Sequence, residues 1–181
     1  MWSRRTFMHR TFAAGAAASG LAGLTGCGWA PLYADRETGP ADAELAAVKV
    51  APIPERAGQI LALGLREWLN PSGAPTPTRY LLRTVLTISR LDLGILTFGL
   101  GTRARLDVIA TFTLYQLATS TPLLTASSHA SESFDIVSNY YSNVVAEESA
   151  RTRAIEEIRR DMINQLTVFL QQRAATAASS P

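Results

Sequence analysis

The middle of the chain holds three stretches in which apolar and polar residues alternate: Arg79–Leu91, Arg105–Leu117 and Leu123–Phe134. Such alternation is typical of β-strands that bury one face and leave the other in water. The second stretch shows it most clearly, because every other residue is apolar: Leu106, Val108, Ala110, Phe112 and Leu114. We predict three antiparallel strands that form a meander in chain order.

Two other segments repeat with the helical period. From Glu55 to Asn70, apolar residues recur every three or four positions, and Pro71 ends the segment. From Asn143 to Arg173, the same spacing produces a single apolar stripe: Ile155, Ile158, Met162, Leu166 and Phe169. We predict two helices, with Phe112 of the sheet facing the helical layer and Phe169 of the second helix facing the sheet.

A shorter apolar run, Leu45–Ile53, precedes the first helix and predicts one more strand. The element order is then β-α-β-β-β-α. Each helix must bury its apolar stripe against the sheet. We therefore predict an α+β two-layer sandwich, in which two helices pack on one face of a four-stranded mixed sheet.

The first 26 residues have the composition of an export signal. Arg4 and Arg5 stand in Ser-Arg-Arg-Thr-Phe, which resembles the twin-arginine motif, and an Ala- and Gly-rich run follows. Cys27, the only cysteine, comes directly after Leu-Thr-Gly, a pattern at which bacterial lipoprotein signals are cut. We predict that residues 1–26 are a signal peptide and that Cys27 carries a covalent N-terminal lipid, with no other cofactor. The alternatives are a Sec signal, an ordinary secretory signal that contains a cysteine and, least favoured by this Ala- and Gly-rich run, a permanent membrane helix.

The predicted mature chain divides into a lipid anchor and tether at 27–44, an α+β domain at 45–173 and a disordered tail at 174–181. Three of the 17 basic residues lie in the signal, which leaves 14 against 15 acidic residues. This balance gives no overall positive charge of the kind that binds nucleic acid. With the one cysteine predicted to carry lipid, no disulfide is expected, so packing must stabilise the fold.

Residues with catalytic chemistry are sparse in the predicted mature chain. His129 is its only histidine, and strand alternation places it on the solvated face beside Ser127 and Ser131. The carboxylates do not form a cluster with the spacing of a metal site. No Gly-x-Ser-x-Gly nucleophile turn is present in the sequence. We predict that the protein is not an enzyme and holds no metal ion.

Four segments are similar to the lipopolysaccharide-assembly lipoprotein family LptE in its alphaproteobacterial form: Cys27–Tyr33, Val48–Gln59, Thr102-Arg103 and Ser133–Ala154. The resemblance implies a non-enzymatic, lipid-anchored protein of the outer membrane, whose domain faces the periplasm or stands inside a barrel lumen. It further implies two partners, lipopolysaccharide and a large β-barrel translocon protein of the LptD type, which the domain would plug and help to assemble. Gly28 supports the outer membrane, because an aspartate at this position is the usual signal for inner-membrane retention. The alternative function is an auxiliary lipoprotein of another envelope lipid-transport system of the ABC type.

An apolar, glycine-rich stretch, Leu93–Gly101, separates the first two strands of the meander. Loops of soluble domains are mostly polar, so an apolar tip indicates contact with a partner or a lipid. Arginine pairs well with phosphate, and lipopolysaccharide offers phosphates beside acyl chains. Under the LptE resemblance we predict lipopolysaccharide binding by six residues here: Arg90, Arg103, Arg105, Ile95, Leu96 and Phe98. The alternative is that the tip folds back as a β-bulge or a strand extension and that the arginines are solvated.

Overall fold

The predicted layers are present in the structure, a computed structural model that describes residues 40–71, 73–75, 77–95 and 101–179. The described helices are α1 (Pro40–Ala46), α2 (Glu55–Leu69) and α3 (Tyr140–Ser179). The described strands are β1 (Val48–Val50), β2 (Tyr80–Ile95), β3 (Gly101–Gln116) and β4 (Thr121–Asp135). The α+β prediction is confirmed, and α1 is an additional helix.

The strands form one sheet in the order β1-β2-β3-β4. β1 runs parallel to β2, with Val48 beside Tyr80, because α2 provides the crossover between them. β2, β3 and β4 are antiparallel neighbours, and the β2–β3 pairing extends from Tyr80 beside Gln116 to Ile95 beside Gly101. The sheet is therefore mixed, as predicted, and its three long strands form the expected meander.

One face of the sheet carries the core. The even-numbered residues of β3 are buried from Ala104 to Leu114, and Phe112 has no exposed surface. Buried residues of both longer helices belong to the same core: Leu61, Leu65, Ile155, Ile158, Met162 and Leu166. Phe169 is only half-buried against this core, in contrast to Phe112. Outside the bulge at the beginning of β4, odd-numbered residues of the long strands point to the other face, which is mostly exposed and which we call the open face.

α1 lies where the sequence analysis expected a tether and the beginning of a strand. Proline is common at the first position of a helix, and Pro40 occupies that position here. Glu44 of α1 accepts a hydrogen bond from the Tyr80 hydroxyl at 2.5 Å and pairs with Arg79 at 2.6 Å. Burial, together with the bond to Glu44, raises the pKa of Tyr80. These contacts fix α1 to the beginning of β2, and the predicted first strand is shortened to β1.

α3 is longer than predicted at both ends. It continues through Ser179, so residues 174–179 are helical rather than disordered, which suits their high content of alanine, the strongest helix former. At about 1.5 Å per residue, α3 is about 60 Å long. Within α3, Glu147 forms an ion pair with Arg151 at 2.8 Å, and Glu156 forms one with Arg159. None of the described helices is long and apolar enough to cross a membrane.

Candidate functional site

The predicted site lies at the end of the sheet where β2 leads into β3. Ile95 is the last residue of β2 and lies beside Gly101, the first residue of β3. Both strands therefore extend into the stretch that was expected to form a loop. The remaining predicted functional residues of this tip and of the signal lie outside the described part of the chain: Arg4, Arg5, Cys27, Leu96 and Phe98.

Gly94 sets the backbone just before the tip. Its φ of +65° lies in the left-handed region, which glycine adopts without the strain that a Cβ would introduce. The Thr102 hydroxyl donates a hydrogen bond to the Gly94 carbonyl at 2.9 Å. A Cβ on Gly94 would lie 2.7 Å from the same hydroxyl oxygen, so a side chain here would be strained and would also displace the Thr102 hydroxyl.

Arg90 lies on the helix-covered face of β2. Its Nη1 donates a hydrogen bond to Glu147 of α3 at 2.7 Å, and its Nε donates one to Asp92 at 2.9 Å. The guanidinium carbon also lies 5.5 Å from the ring centroid of Phe134. The hydrogen bond to Asp92 raises the pKa of Arg90 above its ordinary value. Arg90 thus joins the β2–β3 hairpin to the beginning of the long helix.

The Arg90 contacts continue as a chain of alternating charges around a cavity of about 360 Å³ between the beginnings of α2 and α3. Arg151 bridges Glu147 at 2.8 Å and Glu148 at 3.0 Å, and Arg56 lies 4.0 Å from Glu148. With Glu55, three glutamates and three arginines line the cavity. The charges balance, so this cavity does not concentrate positive charge for a phosphate.

Arg103 and Arg105 occupy the open face, since they are odd-numbered residues of β3. Across the β2–β3 pairing, Leu93 lies beside Arg103 and Leu91 lies beside Arg105. The side chain of Leu91 is 49% exposed. We call these four residues the hairpin patch, because they place two apolar and two cationic side chains on one exposed surface.

The two arginines of the hairpin patch differ in how strongly they pair with neighbouring carboxylates. Asp135 lies 3.9 Å from Arg103, and both side chains are largely exposed, so this pair is weak. Asp107 accepts a hydrogen bond from Arg105 at 3.1 Å. The hydrogen bond from Ser131, followed by the charge of Arg105, lowers the pKa of Asp107.

His129 lies on the open face, as predicted, with its Nε2 3.7 Å from an oxygen of Asp107. Its side chain is 58% exposed. Within the described ranges, no group of three His, Cys, Asp or Glu side chains could hold a metal ion.

The three arginines that the sequence analysis grouped lie on two different faces of the β2–β3 hairpin. Arg90 pairs across the strands with Leu106, which is buried on the inner face, whereas Arg103 and Arg105 point the opposite way. Successive side chains of a strand point to opposite faces of the sheet. In this register the even-numbered residues of β2 and β3 share the inner face, so Arg90 points away from the odd-numbered Arg103 and Arg105.

The lipopolysaccharide-assembly family LptE matches residues 45–168, which is more than half of the chain. This chain belongs to the LptE family. The matched region begins at the end of α1 and ends within α3, so it contains all four described strands. The resemblance noted from the sequence is confirmed, and the protein is a member of a lipoprotein family of lipopolysaccharide assembly.

Two solved structures resemble this LptE-family domain. A Caulobacter crescentus protein described as a lipoprotein superposes with a TM-score of 0.59 at 17% identity, over 72% of this chain and 96% of that chain. A minor lipoprotein from Acinetobacter baumannii superposes with a TM-score of 0.50 at 16% identity, over 68% and 92% respectively. At these identities the likeness concerns the fold. No match was found among curated proteins.

Sequence reasoning missed two surfaces of this LptE-family domain. The leucines of the hairpin patch were not grouped with its arginines, although alternation along β2 and β3 would place them together once the register is known. The second surface comprises exposed residues between Val137 and Val145. The sequence feature that could have indicated this second surface is the absence of any charged residue from Ile136 to Ala146.

Proposed function

We propose that this protein is a non-enzymatic, outer-membrane lipoprotein that partners the LPS-translocating β-barrel, occupies its lumen and assists lipopolysaccharide insertion. The observation that carries the proposal is the LptE-family match over residues 45–168. In this proposal the lipid on Cys27 holds the protein at the membrane. The domain supplies the contacts with the barrel and with lipopolysaccharide.

The shape of the sheet supports a role beside or inside a barrel. β2 and β3 each contain 16 residues, which at about 3.3 Å per residue gives strands about 50 Å long. Only one face of these strands carries the core, and the open face exposes residues such as Val85 and Ile109. An elongated domain with one uncovered sheet face offers a large surface to an enclosing wall.

The hairpin patch supports lipopolysaccharide binding better than the original set of six residues. Its two leucines could contact acyl chains while Arg103 and Arg105 pair with phosphates, because all four side chains share one face. The weak hold of Asp135 leaves Arg103 available, and a guanidinium forms paired hydrogen bonds with a phosphate. Arg90 is excluded from the proposed site, since Glu147 and Asp92 already occupy it on the inner face. Ile95, Leu96 and Phe98 stay in the proposal as the adjoining apolar tip.

The binding test replaces both arginines of the patch, as Arg103→Gln with Arg105→Gln, and measures the affinity for purified lipopolysaccharide at physiological salt. Each partly exposed arginine–phosphate pair should contribute about 0.5–1 kcal/mol, so losing two of them should lower the affinity for lipopolysaccharide by roughly 5- to 30-fold. The matched control is Arg160→Gln with Arg173→Gln, which removes the same charge from exposed positions of α3. Equal binding by the patch variant and the wild type would exclude this site.

The partner test purifies the tagged full-length lipoprotein from its native membranes and identifies the proteins that accompany it. We expect an outer-membrane β-barrel protein in near-stoichiometric amount. Recovery of an inner-membrane ABC transporter instead would favour the auxiliary-lipoprotein function and contradict the proposal.

A further inference from the structure

An exposed apolar cluster lies at the beginning of α3. Five of the eleven large apolar side chains exposed in the described residues fall within nine positions. Tyr140 is 82% exposed and Tyr141 is 76% exposed. We call the cluster the tyrosine patch, and it consists of Val137, Tyr140, Tyr141, Val144 and Val145.

The backbone under the tyrosine patch is fixed by side-chain hydrogen bonds. Asn143 accepts a bond from the Val137 amide and donates one to the Val137 carbonyl, each at 2.8 Å. The Asn139 side chain accepts a bond from the Ser142 amide at 3.2 Å and thereby caps the helix. The patch is therefore positioned before any partner arrives, which lowers the entropy lost on binding.

The outward side of α3 changes character along its length. In the first two turns, Tyr140 with Val144 and Tyr141 with Val145 are four residues apart, so they form adjoining outward rows. Further along, most exposed residues are polar or charged, among them Glu156, Glu157, Arg160 and Asn164. A cluster of exposed large apolar side chains thus occurs where the helix begins, whereas Val168 is the one such residue further along its described part. This is not the pattern of a uniformly solvated helix.

The composition of the patch favours a protein partner over a lipid. Helices that bind membrane surfaces combine Lys or Arg with deeply inserting Trp, Phe or Leu side chains. From Ile136 to Ala146 there is no charged residue, and the nearest charges along the chain are the carboxylates of Asp135 and Glu147. Tyrosine supplies apolar area and one hydroxyl, a combination that is enriched at the centres of protein interfaces.

The area of the patch disfavours a second copy of this chain. With side chains of about 150–200 Å², the five residues expose on the order of 500 Å². A symmetric dimer through this patch would bury about 1,000 Å² in total, which is below the range of stable interfaces. A partner that also covers neighbouring surface at this end of the domain is required.

The patch adjoins the hairpin end of the sheet. The Ile136 amide donates a hydrogen bond to the Thr102 carbonyl at 2.9 Å, which joins the segment before α3 to the beginning of β3. The opposite end of the sheet is where α1 contacts Arg79 and Tyr80. The tyrosine patch therefore belongs to the end of the domain that lies farthest from α1.

We propose that the tyrosine patch is a principal contact of the β-barrel partner, which covers it with an uncharged apolar wall bearing polar groups for the two phenol hydroxyls. This inference rests on the proposed function and adds the residues through which the partner is held. The contact needs no positive charge, which separates it from the arginines of the hairpin patch.

The first experiment places a photo-crosslinking phenylalanine derivative at position 141 of the full-length lipoprotein in its native membrane. We expect an adduct that mass spectrometry identifies as the outer-membrane β-barrel protein that accompanies the wild type. An adduct with lipopolysaccharide, with phospholipid or with a second copy of this chain would overturn the inference, and so would the absence of any adduct.

The second experiment uses a double variant that carries both Tyr140→Ser and Tyr141→Ser. Its control is a double variant on the same helix that carries both Glu157→Ser and Arg160→Ser. The tyrosine variant should recover at least about tenfold less barrel protein, as expected for the loss of an interface hot spot, and the control should recover the wild-type amount. Undiminished recovery by the tyrosine variant would overturn this inference alone. If the wild type brings no barrel protein with it, the proposed function fails first, and this inference fails with it.

Discussion

At the scale of single residues, Phe112 shows how the sheet accommodates its largest fully buried side chain. It lies in β3, the strand with a long partner on each side, and is flanked across the pairings by Thr84 and Ala126. Both neighbours are small, which leaves room for the ring to extend toward the helical layer. The ring is fully buried and belongs to the main core cluster.

Replacing Phe112 by alanine should lower the free energy of unfolding by about 3–5 kcal/mol, because a fully buried ring is lost and a cavity remains. In a domain of this size, thermal denaturation should then shift down by roughly 10 °C. The matched control is Val85→Ala on the open face, where the side chain is 68% exposed and the change should stay within about 0.5 kcal/mol. An unchanged melting temperature for the Phe112 variant would mean that the two faces of β3 have been exchanged.

At the scale of elements, strand alternation was the most informative pattern in the sequence. It predicted the buried and exposed faces of β2 and β3 correctly, because an antiparallel strand with one wet face repeats every two residues. It could not predict how far the hairpin extends, since Leu93 and Ile95 are apolar and fit either a strand or a buried loop. The sequence analysis grouped Arg90 with Arg103 because both border the tip in sequence, whereas the strand register places them on opposite faces.

α1 and the end of α3 escaped prediction for a different reason. α1 has only seven residues, too few to display an apolar period, and its stability comes from burial of Leu45 and the contacts of Glu44. The Ala-rich end of α3 was interpreted from its small side chains as a tail, although alanine favours helix. The ion pair of Arg90 with Glu147 joins residues 57 positions apart, which no local pattern reveals.

This long-range pair should stabilise the contact between the hairpin and α3 by a modest amount. A double-mutant cycle with Arg90→Gln and Glu147→Gln should give a coupling free energy of about 0.5–1 kcal/mol, since Arg90 is 42% exposed and water screens the charges. The coupling should decrease in high salt. The same cycle on Arg103 and Asp135, which are 3.9 Å apart and more exposed, serves as the comparison and should give a coupling near zero. A coupling at the first pair no larger than at the second would show that Arg90 does not join these elements.

At the scale of the whole molecule, the two ends of the described domain carry different features. The chain enters through α1, which is bound to the beginning of β2. The hairpin patch and the tyrosine patch lie at the other end, roughly the 50 Å length of β2 away. Under the proposed function, one end is held by the lipid anchor through the preceding residues, and the other end makes the contacts with lipopolysaccharide and the barrel. Attachment and recognition should therefore be separable by mutation.

Cys27→Ser provides the test of that separation. Without the thiol no thioether-linked lipid can form, and several acyl chains, each contributing about 0.8 kcal/mol per buried methylene, would be lost from the membrane anchor. We expect loss of labelling by radioactive fatty acid, accumulation of uncut precursor and release of any mature protein from the membrane fraction. The domain itself should keep its melting temperature and its affinity for purified lipopolysaccharide, since Cys27 is not among the residues of the described core, which runs from Leu45 onward. Thr25→Ser, which keeps a small residue before the cysteine, is the control and should be labelled normally. Fatty-acid labelling that persists in the Cys27 variant would exclude this residue as the attachment point, while the family assignment over residues 45–168 would still hold.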